Sequence, residues 1–431
     1  MSLIELDGGR RWNRTTDTRI FNPLLYRLSY PAIQGCVLKR LTFTESSPKH
    51  INWATNTNKT PYNDQTTLRQ QKYWHMTHKT HHLEQYHLVK TRLQTRHTNG
   101  TTQCDLCLWR CKLAHGQRGF CQAHVNRHGT LYNLSYGILS AIDIGPIEDK
   151  PVKHFRPGTQ VMSVGSYGCN FRCGGCHNLE ISWGISALDE LAQGQSTAAY
   201  VSPKRLVEAA LRHGVDGIAF TYSEPAVWLE YVIDVAKLAH AAGLYTLYVS
   251  NSFVTDEALE AMSKHIDVLC SDIKSLSDDF YKDICPVARV EDVLGSIKKA
   301  QQLGLHVEVR TNVIPGKNDE PDELARIAAW IRDQLGADSP WHITKFFPAY
   351  KLSDLPPTPT DTLHIAAEQG RRAGLQNVYL YDDKGCDCAD SNLPVAAYLD
   401  DDPLAVHTVK KCAADCCGDE GVLLKKYEYN K

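Results

Sequence analysis

The middle of the chain alternates short apolar runs with segments whose apolar residues recur at helical spacing. The apolar runs predict strands at Val161–Val164, Gly217–Thr221, Tyr245–Val249, Val268–Asp272, His306–Arg310, Trp341–Phe346 and Val378–Tyr381. Strands that alternate with helices form parallel sheets covered by helices. About six βα units therefore predict an α/β fold, a partial (β/α)6 TIM-type barrel, over residues 159–381.

Helix start and stop signals separate these strands. Ser202 and Pro203 open a helix that ends at Gly214, with Leu206, Val207, Ala210 and Leu211 predicted to face inward. Further helix starts are predicted at Pro225, Thr255, Pro321 and Thr360.

Residues 1–103 differ from the rest and are predicted to be poorly structured. They hold 15 Lys and Arg against 6 Asp and Glu, and no helical or strand period persists. This segment contains a histidine tract that could bind metal or be a solvated polar stretch: His78, His81, His82 and His87. Residues 11–26 resemble the product of a translated transfer-RNA gene. A start further downstream, at Met76, is therefore a hypothesis that intact-mass measurement can test.

Composition limits the class of protein. The chain has 431 residues, 42% of them hydrophobic, and a net charge of −2, which argues against binding nucleic acid with the whole surface. No apolar run approaches the roughly 18–20 residues of a membrane span. Seven of the 15 cysteines stand at metal-ligand spacings, and the first residues do not resemble an export signal. We therefore expect a reducing compartment, the cytoplasm, rather than a disulfide-bonded secreted protein.

The strongest chemical signal is a glycine-rich loop just after the first predicted strand. Cys169, Cys173 and Cys176 stand there at C-x3-C-x2-C. Thiolates suit iron–sulfur clusters and zinc. A closed zinc site needs four ligands, whereas three thiolates on a four-iron cluster leave one iron open. A zinc site with His177 as the fourth ligand is the alternative.

This loop resembles that of the radical S-adenosylmethionine (SAM) superfamily. The resemblance implies that Cys169, Cys173 and Cys176 hold a [4Fe-4S] cluster whose open iron is chelated by SAM. It also implies reductive cleavage of SAM to a 5′-deoxyadenosyl radical that abstracts hydrogen from a substrate. Gly175 stands where the superfamily usually has an aromatic residue.

A second cysteine group precedes this loop. Cys104, Cys107, Cys111 and Cys121 follow the spacing C-x2-C-x3-C-x9-C within a module predicted over residues 104–158. Four thiolates could form a zinc site or a second cluster, or remain free cysteines. The order of module, short β segment and cysteine loop is similar to the AmmeMemoRadiSam system radical SAM enzymes, which are relatives of the pyruvate formate-lyase activating enzymes.

Three residues at predicted strand ends are candidates for holding SAM. Glu224, before Pro225, resembles the family element that binds the SAM amino group, although it could simply begin a helix. Asn251 could reach SAM or serve a turn. Lys274 belongs to an Asp-x-Lys resembling that of the activases, with a salt bridge to Asp272 as the alternative.

Two further polar residues lie in the predicted fifth and sixth strands. Arg310 is a candidate for binding a carboxylate. His342 is predicted to be structural, because a lone histidine beside a strand more often is.

The tail, residues 382–431, carries five cysteines at an irregular spacing that assigns no site: Cys386, Cys388, Cys412, Cys416 and Cys417. We expect a radical SAM enzyme that acts on an unidentified substrate, which could be a protein, and takes electrons from a flavodoxin or ferredoxin. A glycyl-radical-enzyme activase is the first alternative. A non-catalytic zinc protein that binds nucleic acid through its basic head is the second.

Overall fold

The computed structural model describes residues 88–183, 185–193, 200–287, 289–381 and Leu399. The histidine tract, the hypothetical start at Met76 and the five tail cysteines lie outside the described residues. Within the described part, no helix is both long enough and apolar enough to cross a bilayer.

The N-terminal described part consists of short antiparallel strands: β1 (Val89–Lys90), β2 (Gln94–Arg96), β3 (Thr102–Cys104), β4 (Lys112–Leu113), β5 (His124–Arg127) and β6 (Thr130–Asn133). They form two small sheets, with the orders β2–β3–β4 and β1–β6–β5. The expectation of little structure before residue 104 is therefore wrong for residues 88–103. Their strands pair with strands of the cysteine module, a long-range contact that local pattern does not reveal.

The main sheet has eight strands: β7 (Ala141–Pro146), β8 (Gln160–Gly165), β9 (Gly217–Phe220), β10 (Tyr245–Ser250), β11 (Val268–Asp272), β12 (His306–Val313), β13 (Trp341–Lys345) and β14 (Val378–Tyr381). Their spatial order follows the chain, and β8 to β14 are parallel. The predicted α/β fold with a parallel sheet is confirmed. β7, which pairs antiparallel with β8, was not predicted because Gly145 and Pro146 interrupt its pattern.

Helices connect and cover the strands: α1 (Leu179–Ser182), α2 (Ile185–Ala192), α3 (Pro203–His213), α4 (Leu229–Ala241), α5 (Asp256–Met262), α6 (Asp278–Asp283), α7 (Val290–Gln302), α8 (Pro321–Leu335) and α9 (Thr360–Arg372). α4 packs on β9 and β10, α7 on β12, and α9 on β13 and β14. The strands β9 and β11 are buried along their whole length, since helices and neighbouring strands exclude water.

Most of the predicted helix starts are found. Ser202 accepts a hydrogen bond from the Arg205 N–H, and Thr255 accepts one from the Ala258 N–H. Pro225 instead begins a one-turn 3₁₀ helix, Pro225–Trp228, ahead of α4. Thr360 is the first residue of α9 rather than its cap.

One predicted core position is wrong. Leu211 is 48% exposed, whereas Leu206, Val207 and Ala210 of the same helix are buried. The helix therefore buries a narrower apolar face than the run of apolar residues suggests.

A segment after β7 crosses the sheet and contacts several of its strands. It contains a one-turn 3₁₀ helix, Ile147–Asp149. The Pro151 carbonyl accepts from the Cys270 thiol of β11, and the Glu148 carbonyl accepts from the Tyr381 hydroxyl of β14 at 3.0 Å. The segment thus links β7, at one edge of the sheet, to β14 at the other edge.

Glu308 of β12 anchors this segment. Its fully buried carboxylate accepts from the backbone N–H groups of Lys153 (3.0 Å) and His154 (2.8 Å) and contacts the rings of His306 (2.8 Å) and His342 (2.6 Å). Burial by itself raises the pKa of this carboxyl, but the hydrogen bonds from the two histidines outweigh it and lower the pKa to about 2. His342 is accordingly a buried structural partner, as predicted.

We expect Glu308→Ala to lower the free energy of unfolding by about 3 kcal/mol, because it leaves four donors facing a buried void. Urea unfolding would measure the change. Glu291→Gln, on the exposed start of α7, should change it by no more than about 0.5 kcal/mol. Equal effects of the two substitutions would contradict an anchoring role for Glu308.

Candidate functional site

The cysteine loop begins directly after β8, at the carboxyl end of the parallel sheet. Gly168 starts it with φ +104°, a conformation that favours glycine. A Cβ at Gly168 would lie 3.0 Å from the Cys121 carbonyl oxygen, so the loop also passes close to the cysteine module. Backbone hydrogen bonds from Gly174 to Ile284 (2.8 Å) and from Lys351 to Gly174 (2.9 Å) hold its middle.

The loop brings its three thiols together. The thiols of Cys169, Cys173 and Cys176 are half-buried and interact electrostatically with one another. Burial raises the pKa of the Cys169 and Cys176 thiols, and the Glu224 carboxylate adds to this effect at Cys169. The Phe171 N–H lies 3.3 Å from the Cys169 sulfur and favours its anionic form.

A further cysteine, which the sequence did not single out, contacts this group. Buried Cys285, which follows α6, hydrogen-bonds to Cys173. This bond lowers the pKa of the Cys173 thiol against the opposite effect of burial, and the Lys274 ammonium lowers it further. A lone cysteine has no spacing signal, so sequence could not have placed it here.

Glu224 lies 2% exposed at the end of β9. Its carboxylate accepts from the Ser250 hydroxyl (2.8 Å), the Asn251 N–H (2.9 Å) and the Ala226 N–H (3.1 Å). The last bond makes it the cap of the 3₁₀ helix, as its alternative interpretation predicted. Burial nevertheless raises the pKa of Glu224 to about 7, because its donors are neutral groups.

Asn251, at the end of β10, lies beside the cysteine loop. Its side-chain amide donates to the Asn170 side chain at 2.8 Å and lies 3.9 Å from the Cys169 sulfur. The side-chain oxygen of Asn251 accepts from the Phe253 N–H, which is the predicted turn contact. Asn251 therefore joins the third strand end to the loop.

Asp272, Lys274 and Arg310 form an ion cluster at the end of β11, with Arg310 on the neighbouring strand β12. The Asp272 carboxylate lies 2.7 Å from the Lys274 ammonium and 2.6 Å from the Arg310 guanidinium. Burial tends to raise the pKa of Asp272, but the two cations lower it well below its usual range. The predicted salt bridge of Lys274 is present. Arg310 retains 29% side-chain exposure, so it is open to an additional ligand.

The four cysteines of the module lie close to each other and to the loop. Cys104 ends β3, Cys107 and Cys111 lie between β3 and β4, and Cys121 precedes β5. All four are free thiols, and Cys107 hydrogen-bonds to the side chain of Asn170.

No group of three or more His, Cys, Asp or Glu side chains within the described ranges is arranged to hold a metal ion. The zinc site with His177 as fourth ligand stays a prediction. The His177 ring lies near Phe346 and Phe347, with ring centroids 6.2 and 6.5 Å away. A cluster makes a different demand, since each thiolate binds its own iron and the sulfurs need not meet at one point.

Gly175, where the superfamily usually has an aromatic residue, lies against two apolar side chains. A Cβ at this position would lie 3.0 Å from Cε2 of Phe346 and 3.1 Å from Cδ1 of Leu352. Phe346, which is 1% exposed, supplies an aromatic ring beside the loop from the end of β13. The Phe346 ring occupies the space that a side chain at position 175 would fill, and only folding brings the two residues together.

Comparisons with known proteins show which family the chain resembles. Residues 163–328 match the model of the Radical SAM superfamily. The chain is 39% identical over 280 residues to "Uncharacterized protein MJ0808" of Methanocaldococcus jannaschii, covering 64% of this chain and 80% of that protein. It is 26% identical to the pyruvate formate-lyase-activating enzyme of Clostridium pasteurianum, covering 46% and 84%.

Among solved structures, a radical SAM methyltransferase from Sphaerobacter thermophilus shares 13% identity. The match covers 53% of this chain and 67% of that chain, with a TM-score of 0.40.

We expect Gly175→Ala to lower the free energy of unfolding by about 1–3 kcal/mol, because the new methyl group would press on Phe346 and Leu352. Gly174→Ala is the matched control. Its Cβ would meet nothing closer than 3.8 Å, so the change should be less than about 1 kcal/mol. Urea unfolding at matched iron content measures both. If Gly175→Ala left the free energy of unfolding unchanged, the contacts with Phe346 and Leu352 would not be tight enough to exclude a methyl group.

Proposed function

Since the chain belongs to the radical SAM superfamily, we propose that Cys169, Cys173 and Cys176 bind a [4Fe-4S] cluster and that SAM docks beside it. The observation that carries the proposal is the gathering of three free thiols on one loop at the carboxyl ends of parallel strands. Together the bound cluster and SAM would supply a 5′-deoxyadenosyl radical for hydrogen abstraction from an unidentified substrate.

The residues at neighbouring strand ends would orient SAM. The Glu224 carboxylate would accept from the methionine ammonium, since its present donors are uncharged. Asn251 would add an amide between this carboxylate and the loop. Lys274 and Arg310 would face carboxylate groups, with Asp272 holding both cations in place.

The sheet would curve into a partial (β/α)6 TIM-type barrel around this site. Support comes from the segment after β7, which reaches β14 through the Tyr381–Glu148 hydrogen bond. A contact between the two edges of an eight-stranded sheet requires strong curvature. The Glu308 anchor would fill the barrel at the level of β12.

Two similarities bear on the substrate class. The module ahead of the sheet favours an enzyme of the AmmeMemoRadiSam type with an unidentified substrate. The similarity to an activating enzyme favours, as the second candidate, a protein substrate on which a glycyl radical is formed. Either would take its electron from a flavodoxin or ferredoxin. Electron paramagnetic resonance after incubation with a glycyl-radical enzyme would separate the two candidates.

We expect Cys173→Ala to lose the loop cluster and all formation of 5′-deoxyadenosine, because two thiolates do not hold the cube. The measurement is chromatography of SAM products after anaerobic reconstitution. Cys270→Ala, which removes a buried thiol within β11, is the control and should retain both iron and product. Product formation by Cys173→Ala would refute the assignment.

The affinity for SAM should depend on pH through Glu224. Its pKa of about 7 means that the carboxyl is largely protonated at pH 6, and binding an ammonium group requires the proton to leave. Binding should tighten as pH rises from about 6 to about 7.5. Isothermal titration calorimetry on reconstituted protein, repeated across this pH range, measures the slope of SAM affinity against pH.

Glu224→Gln should weaken binding by about 10- to 100-fold at pH 7.5 and abolish the slope. Glu230→Gln removes another buried carboxylate, one bound to Asn133 and the Arg92 N–H, and should leave the slope intact. A slope that persists in Glu224→Gln would assign the titration to a different group.

A further inference from the structure

We propose that Cys104, Cys107, Cys111 and Cys121 bind a second [4Fe-4S] cluster, which passes electrons to the cluster proposed on the cysteine loop. The role as an electron relay rests on the proposed function, whereas the second cluster itself does not. The proposal is carried by the grouping of the four thiols, the donors aimed at them and their contact with the loop.

The four thiols form one buried group. Cys104, Cys107 and Cys121 are 7%, 9% and 8% exposed, and Cys111 is half-buried. Cys104 interacts electrostatically with Cys107 and Cys121, and Cys111 interacts with the same two residues. A Cβ on Gly119 would lie 3.9 Å from the Cys111 sulfur and 3.8 Å from the Cys121 sulfur, so both sulfurs flank the same glycine.

Backbone donors are aimed at these sulfurs. The sulfurs of Cys104, Cys107 and Cys121 each accept from the N–H two residues further on, at Leu106, Trp109 and Ala123. A neutral thiol is a weak acceptor, whereas a thiolate bound to iron carries charge that such donors stabilise.

The same arrangement occurs on the cysteine loop. Cys169 accepts from the N–H of Phe171, and Cys176 accepts from that of Asn178. Two separate sets of cysteines thus share one local geometry around sulfur. This supports the same kind of ligand for both.

We assign a cluster rather than a single zinc ion to the module. A closed zinc site draws four sulfurs to about 2.3 Å from one point. A cube of four irons takes one thiolate at each corner and so holds the sulfurs further apart. The choice of a cluster rests on the local geometry that the module shares with the cysteine loop and on the contact between the two.

The module touches the loop through Asn170, which is fully buried. Its side-chain amide hydrogen-bonds to the Cys107 sulfur. Its backbone is bonded directly to that of Cys169, the preceding residue. The Trp109 indole N–H donates to the Asn170 carbonyl at 2.8 Å. A short path of bonds therefore joins a sulfur of the module to a sulfur of the loop.

Arg172 lies beside both cysteine groups. Its guanidinium stacks on Phe120 of the module at 4.5 Å and donates to the Cys169 carbonyl at 2.8 Å. It interacts electrostatically with Cys121 of the module and with Cys169 and Cys173 of the loop. One cation between two anionic clusters would reduce the repulsion between them.

The electron balance is simple. A one-electron protein donor, a flavodoxin or ferredoxin, would reduce the module cluster by one electron. That electron would then move to the loop cluster, which returns the module cluster to its oxidised state. SAM would be the final acceptor, and its sulfur–carbon bond would break to give methionine and a carbon-centred radical. No proton or further reactant is needed in the relay.

The test is the iron content of Cys169→Ala/Cys173→Ala/Cys176→Ala protein, which leaves the module intact. After anaerobic reconstitution we expect about four iron and four sulfide per chain, against about eight of each in the unaltered protein. Dithionite should give the module cluster an electron paramagnetic resonance signal. A triple variant with no iron, or with zinc instead, would overturn the second cluster.

The outcomes also separate this inference from the proposed function. No iron in the triple variant, with about four iron in the unaltered protein, would overturn the inference and leave the loop cluster standing. A triple variant that keeps all the iron of the unaltered protein would support the module cluster and refute the loop cluster. Neither result depends on SAM turnover or on whether module variants fold.

Trp109→Phe tests the relay, because it removes the indole N–H that donates from the module to the Asn170 carbonyl. With iron content unchanged, we expect slower flavodoxin-driven reduction of the loop cluster and an unchanged rate with dithionite, both monitored by freeze-quench electron paramagnetic resonance. A purely structural role for Trp109 would slow both reactions or lower the iron content, and would overturn the relay. An unchanged flavodoxin-driven rate would overturn it as well.

Discussion

A buried hydrogen-bond network holds the ends of β8, β9 and β10 in register with the cysteine loop. The Glu224 carboxylate, after β9, accepts from Ser250 and Asn251 at the end of β10. The Asn251 amide then donates to Asn170 within the loop that follows β8. Because all of these groups are removed from water, each needs its partner, and the network allows only one arrangement of the loop.

Two buried carboxylates, Glu308 and Glu224, differ in their hydrogen-bond donors and therefore in their pKa. Glu308 is held by two histidine rings and two backbone N–H groups, which keep its pKa near 2. Glu224 has only neutral donors, and burial raises its pKa to about 7. The first is a permanent anion that anchors a segment. The second gains most from a cation that arrives with a ligand, as we propose for SAM.

The cysteine module and the sheet share their polar contacts. Asn170 and Arg172 belong to the loop, but both hydrogen-bond to the module, through Cys107 and through the Phe120 carbonyl. The loop is therefore shaped from two sides, by strand ends and by the module. This explains why Gly168 is needed where the chain passes the Cys121 carbonyl.

The sequence by itself determined the strand positions of the parallel sheet and the two groups of cysteines. Both depend on local spacing: apolar runs between helical segments, and cysteines a few residues apart. Only the tertiary structure decided which distant residues meet, such as Cys285 with Cys173, Phe346 with Gly175, and Cys107 with Asn170. Those contacts join parts of the chain that are far apart in sequence. Their pairing results from packing across the whole sheet, which no local pattern encodes.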